Sequence, residues 1–177
     1  VASDSSLEGP GVIWPSGDPD PEPSPTGEAA EPQPTAASAS ASDTVRIGGR
    51  DVPFGVTELD LTEMGISDIS PLAELTSLEV LVLRDNPVSD LSPLVGLTKL
   101  RRLDLFHTQV SDISPLRGIT GLTTLFLDDT RVSDISPLVD LTGMTELHLD
   151  DTRISDVSAL KGMTGMNEVT FCGCPIR

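Results

Sequence analysis

The sequence predicts an α/β protein: a right-handed solenoid of 22-residue coils, with a parallel β-sheet on its concave side and short 3-10 or α turns on its convex side, behind a leader that builds no core. Three observations predict it. The string Ser-Asp-Ile-Ser-Pro-Leu starts at Ser67 and recurs at Ser111 and Ser133, with small changes at Ser89 and Ser155, so the period is 22 throughout. Each string follows an apolar core of the type Leu-x-x-Leu-x-Leu, as in Leu78, Leu81 and Leu83. The first 42 residues, by contrast, hold eight Pro, eight Ser and seven acidic residues with no Lys or Arg.

Such a leader has too little apolar surface to offset the entropy of ordering it. Residues 1–43 are therefore expected to be a disordered linker, extended by its prolines and its like charges. Ile13-Trp14 is its one apolar interruption, read either as solvated or as a short docking motif. Seven of the 17 net negative charges lie here, which leaves −10 for the rest of the chain. No basic stripe exists anywhere, which argues against nucleic acid, whose binding rests on Lys and Arg neutralising phosphates. An anionic membrane would repel the chain for the same reason. No run of 18 or more apolar residues occurs, and no signal pattern opens the sequence, so no direct membrane insertion is expected from this chain.

Residues 44–55 read as an N-terminal capping hairpin. Val45, Ile47, Val52 and Phe54 supply an apolar face, and Gly48-Gly49 between them suits a tight hairpin turn. A solenoid needs such a lid because its first coil would otherwise leave apolar edges in water.

Residues 56–177 hold about five and a half coils, starting at Val56, Leu78, Leu100, Leu122 and Met144, with a half coil from Met166. Self-similarity at this period with this core is a leucine-rich repeat, in which each coil buries its apolar edge only against its neighbours. Alternation across Leu81-Val82-Leu83 is that of a short strand. Stacked strands lie about 4.8 Å apart, so equivalent residues form ladders. Asn86, Thr108, Thr130, Thr152 and Cys174 make an inward ladder of small polar groups able to pair turn backbone. The convex half of each coil opens with Ser-Pro, as at Ser70-Pro71 and Ser92-Pro93, a helix-start signal with serine as N-cap. About six residues remain before the chain must re-enter the core, so short turns are expected there.

The coils from Leu78 to Lys99, Leu100 to Gly121 and Leu122 to Gly143 resemble the 22-residue repeats of internalins and related bacterial surface and lipoprotein repeat proteins, in which the same Ser-Asp-Ile-Ser-Pro-Leu string recurs. The similarity covers Val56 to Arg177. It implies an extracellular or cell-surface bacterial protein that binds other proteins through the concave sheet, with partners that differ between members. The sequence departs from internalins in showing no immunoglobulin-like domain after the repeats and no wall-sorting signal, so host-cell invasion is not implied.

Positions three, five, seven and eight of each coil are expected to face outward from the sheet. Val80, Val82, Phe106 and Phe126 then form an apolar patch, flanked by Arg84, Arg102 and His107. Apolar clusters ringed by charge mark protein contacts, although valine and phenylalanine are also simply good strand residues. Asp104 and His148 share the face. Asp128, Asp129, Asp150 and Asp151 face one another across a strand spacing, which is unfavourable without compensation. Arg131 and Arg153 are expected to neutralise them as a salt-bridge ladder; a calcium ion or a Lys/Arg-bearing partner is the alternative, in a spacing that is not an EF-hand loop. His148, Asp150 and Cys172 bring together an imidazole, a carboxylate and a thiol, the ingredients of a zinc site or a cysteine nucleophile. An open sheet offers neither pocket nor oxyanion hole, so no catalytic residue and no metal is assigned. A Cys172–Cys174 disulfide would be strained by the single intervening glycine.

The function expected is thus a protein-binding module of a bacterial extracellular protein, monomeric, without cofactor or enzymatic activity. Its partner-binding residues would be Val80, Val82, Arg84, Arg102, Asp104, Phe106, His107, Phe126, Asp128, His148 and Asp150. The alternative is a structural spacer in a larger surface protein.

Overall fold

The computed structural model describes residues 43–176, so the expectations for the leader, including Ile13-Trp14, lie outside the described residues. Strands β1 (Thr44–Ile47) and β2 (Arg50–Pro53) pair antiparallel, with Ile47 opposite Arg50. Gly48 and Gly49 carry the turn with φ of 54° and 86°, a left-handed backbone that favours glycine. Gly48 is also packed: a Cβ there would meet the Ile66 side chain at 2.7 Å. Ile47 and Val52 are buried on the end of the solenoid, so the hairpin covers the first coil.

Six strands follow, one per coil: β3 (Glu58–Asp60), β4 (Val80–Val82), β5 (Arg102–Asp104), β6 (Thr124–Phe126), β7 (Glu146–His148) and β8 (Glu168–Thr170). They form one parallel sheet in sequence order. Every pairing is offset by 22 residues, as in Leu81 opposite Leu103 and Leu103 opposite Leu125. Period and register are therefore the same quantity, and it places chemically equivalent side chains one strand apart.

Inside, positions one, four and six of the coil (Leu100, Leu103 and Leu105 in the third) meet the convex residues Val110, Ile113, Leu116 and Ile119 in a continuous core that water does not reach. The inward polar ladder sits beside it. Asn86 donates to the carbonyls of Leu61, Leu83 and Arg84 and accepts the Ile66 amide at 2.9 Å. Thr108, Thr130 and Thr152 each bond the carbonyl three residues back at 2.6–2.8 Å. Cys174 takes the same place with its thiol, 2.9 Å from Leu149 O and 3.1 Å from the Thr152 hydroxyl.

All five convex segments are 3-10 turns, beginning at Ser70, Ser92, Ser114, Ser136 and Ser158. Serine is not their cap. No N-cap residue bonds through its side chain, and each serine is already the first residue of the turn. The aspartate two residues earlier does the work: Asp68, Asp90, Asp112, Asp134 and Asp156 accept the serine amide at 2.8–2.9 Å. A carboxylate is the stronger acceptor and reaches an amide two positions on, the geometry of an Asx turn.

Candidate functional site

Because strand side chains alternate, positions three, five and seven of every coil stand on the concave face while position four enters the core. The central coils gather aromatic and cationic groups there. Arg84 lays its guanidinium over the Phe106 ring, 4.8 Å from the centroid, and Arg102 lies 4.7 Å over Phe126. His148 stacks on Phe126 from the following coil, with ring centroids 4.5 Å apart and planes 24° from parallel. Arg102, Phe126 and His148 come from three successive coils, so the phenyl ring lies between a guanidinium and an imidazole. The result is a positive, aromatic shelf. Val80, Val82, Phe106 and Phe126, the apolar patch expected with Arg84, Arg102 and His107 at its flanks, are all half-buried, and Arg84 and Arg102 lie over its rings instead of beside them.

Asp104 lies under this shelf. It is only 4% exposed, so its carboxylate serves its neighbours and does not present itself to a partner. It accepts the Phe106 amide at 3.1 Å and stands 3.7 Å from Arg84 Nε. Buried carboxylates persist where charge and hydrogen bonds compensate them. Here the compensation also fixes Arg84 between Asp104 and Phe106. Thr124 is buried beside Glu146, 3.5 Å away.

The acidic rows are held together differently from the salt-bridge ladder expected of them. Among the described residues no ion pair joins Arg131 or Arg153 to an aspartate. Asp128 instead accepts the Asp150 amide at 2.8 Å, and Asp150 accepts the Cys172 amide at 2.6 Å. The facing carboxylates of Asp128 and Asp150 tolerate one another because each is tied to a backbone N–H of the next coil. Burial nevertheless pushes the Asp128 carboxyl up, against the lowering effect of the Asp150 amide.

The His148, Asp150 and Cys172 group does not assemble. Among the described residues no three His, Cys, Asp or Glu side chains converge as metal ligands would. His148 is engaged on Phe126, and Asp150 is engaged on the backbone. Cys172 and Cys174 are both free thiols, since one faces the concave surface and the other the interior.

One feature of the face was not anticipated. Position eight of each coil has a left-handed backbone: Glu63, Asp85, His107, Asp129 and Asp151 have φ of 51–56°, and Gly173 follows at 79°. Aspartate and glycine are the residues that tolerate this region, and their recurrence at this position was the available signal. His107 is held there by Asp85, 2.7 Å from Nδ1, and by Asp129, 3.7 Å from Nε2. It lines an open groove with Asp85, Asp129, Arg131, Asp151 and Arg153.

The family model for leucine-rich repeats (two copies) matches residues 55–96, 76–118, 98–140 and 120–162. No curated protein sequence matches the chain. Among solved structures, internalin C2 of Listeria monocytogenes is 44% identical with a TM-score of 0.67, over 70% of this chain and 54% of that one. Internalin F of the same species is 32% identical with a TM-score of 0.65, over 73% of this chain and 39% of that one. The leucine-rich-repeat ectodomain of a receptor kinase from Arabidopsis thaliana, 18% identical with a TM-score of 0.60 over 77% of each chain, shares the fold alone. The chain thus spans about half the length of the internalin C2 structure it matches. No helix among the described residues is long and apolar enough to cross a membrane.

Proposed function

Since the chain belongs to the leucine-rich-repeat family, as an internalin-type member, we propose that it is a protein-binding module displayed outside a bacterial cell, which recognises its partner with the concave face of its second to fifth coils. One observation carries this reading: Arg84, Arg102, Phe106, Phe126 and His148 converge on a surface that the fold does not need for its core. Aromatic and arginine side chains are the groups that most often dominate protein interfaces, and their clustering near the centre of a face favours one site over scattered contacts. Val80 and Val82 extend the site toward the hairpin, while His107, Asp128 and Asp150 form a charged rim; Asp104 acts from beneath, through Arg84. Binding is favoured over catalysis because the face is open, and nothing on it would exclude water from a reacting group. The kinship with internalins supports an extracellular setting.

The test is capture of proteins from the surroundings of the native cell on the immobilised full chain, beside a Phe106→Ala/Phe126→Ala variant of unchanged fold. A protein retained by the parent and lost by the variant is the expected result. Equal retention would move the site off this face.

A further inference from the structure

We infer that the partner presents an extended acidic segment, with two carboxylates two residues apart, to Arg84 and Arg102. This rests on the reading of the concave face as a protein contact and specifies its chemistry.

Among the described residues, Arg84 and Arg102 differ from the other cations in lying over aromatic rings. A guanidinium stacked on phenyl keeps its N–H edge free for hydrogen bonds, and much of its ordering cost is met before a ligand arrives. Arg84 directs Nε toward Asp104, so its terminal amino groups remain available, and 44% of its side chain is exposed. Arg102 is exposed and has no ion pair among the described residues. Planar, bidentate recognition of a carboxylate is the chemistry that suits such groups.

Position sets the spacing. The two guanidiniums lie over Phe106 and Phe126, sites two residues apart along the strand direction and one strand apart across it, so roughly 8 Å separates them. An extended peptide carries residues i and i+2 on one face about 7 Å apart. Acidic groups border the shelf: Glu58 and Asp60 on the first coil, Asp128 one strand from Phe106, and Glu146 and Asp150 on the fifth coil. They disfavour a carboxylate beyond the two arginines, toward either end of the sheet. A protein of net charge −17 holding two preorganised arginines at the centre of its sheet is complementary to that pattern and to no long acidic tract.

The experiment follows the arginine Nε–H signals of the isotopically labelled full chain by NMR, at low salt, during titration with blocked peptides. A Glu-Ser-Glu peptide is expected to shift the Arg84 and Arg102 signals. A Gln-Ser-Gln peptide and a Glu-Ser-Ser-Glu peptide, whose carboxylates fall on opposite faces of a strand, should bind about tenfold more weakly. Arg102→Gln should reduce binding of the first peptide by about the same factor. Equal affinity for the glutamate and glutamine peptides, silence from both, or the same signals moved by Lys-Ser-Lys would overturn the inference. None of these results decides whether Phe106 and Phe126 contact a protein, which the capture comparison decides by itself.

Discussion

The imidazole Nδ1 of His107 lies 2.7 Å from the Asp85 carboxylate one coil back, and Nε2 lies 3.7 Å from that of Asp129 one coil ahead. The hydrogen bond to Asp85, then the charge of Asp129, raise the His107 pKa above its ordinary 6.5. A base with a raised folded pKa contributes stability that is fully present below the unfolded value and is lost as pH rises through the folded one. The NMR titration midpoint of His107 should therefore lie above 6.5 and fall toward it in Asp85→Asn. A midpoint indifferent to that substitution would remove the bridge between coils two and three.

The convex aspartates work in the opposite sense. Hydrogen bonds from the serine two residues on hold Asp68, Asp90, Asp112 and Asp156 below the usual 3.8. Their contribution is present above the unfolded pKa and is lost as pH falls through the depressed folded values. Between roughly pH 5 and pH 2 the melting temperature should fall, and replacing the four aspartates by asparagine should flatten that slope. An unchanged slope in the quadruple variant would assign acid unfolding to other carboxylates.

The inward ladder should rank by the number of backbone groups each member serves. Thr130→Val strands only the Leu127 carbonyl, at a cost of about 1–3 kcal/mol. Asn86→Leu strands the Ile66 amide and the Leu61 and Leu83 carbonyls, while the Arg84 carbonyl keeps the Glu63 amide, and should cost more. Urea denaturation of both variants tests the order, and equal stability would mean that water replaces Asn86.

What the sequence disclosed and what it concealed divide along a physical line. Period 22 fixes which residues share a ladder, so the core, the parallel sheet and the inward place of Asn86, the three threonines and Cys174 could all be derived from alternation and spacing. Contacts between ladders could not. That Arg84 reaches forward onto Phe106, or that Asp104 is covered, depends on where long side chains fold back across a twisted sheet. Opposite charges drew attention to Arg131 and Arg153, whereas the backbone amides of Asp150 and Cys172, present at every coil and invisible in residue types, are what the carboxylates found.

The two faces of a strand should separate in a pair of substitutions. Leu103→Ala and Leu125→Ala empty fully buried sites and should cost about 2–5 kcal/mol. Phe106→Ala and Phe126→Ala, on half-buried residues of the concave side, should stay below the roughly 3–5 kcal/mol of a core phenylalanine. Loss of a core-sized amount at Phe106 would show that the arginine–phenylalanine shelf is part of the folding core.

Left-handed backbone at position eight makes one substitution behave against habit. Glycine ordinarily weakens a strand by roughly 0.5–1 kcal/mol through backbone entropy, and Glu58→Gly in β3 should do so. Glu63 has φ of 56°, a conformation that costs a residue with a Cβ about 1–2 kcal/mol. Its amide still donates to the Arg84 carbonyl at 3.1 Å, a bond that glycine keeps, and its exposed side chain makes no hydrogen bond among the described residues. Relief of strain exceeds the entropy loss, so Glu63→Gly should be neutral or stabilising by up to about 1 kcal/mol. The same reasoning explains why Gly173 occupies this position in the last coil without disturbing the register. Chemical denaturation of the two glycine variants under one set of conditions provides the comparison. If Glu63→Gly destabilises as much as Glu58→Gly, the position-eight turn is unstrained, and aspartate recurs there for its charge alone.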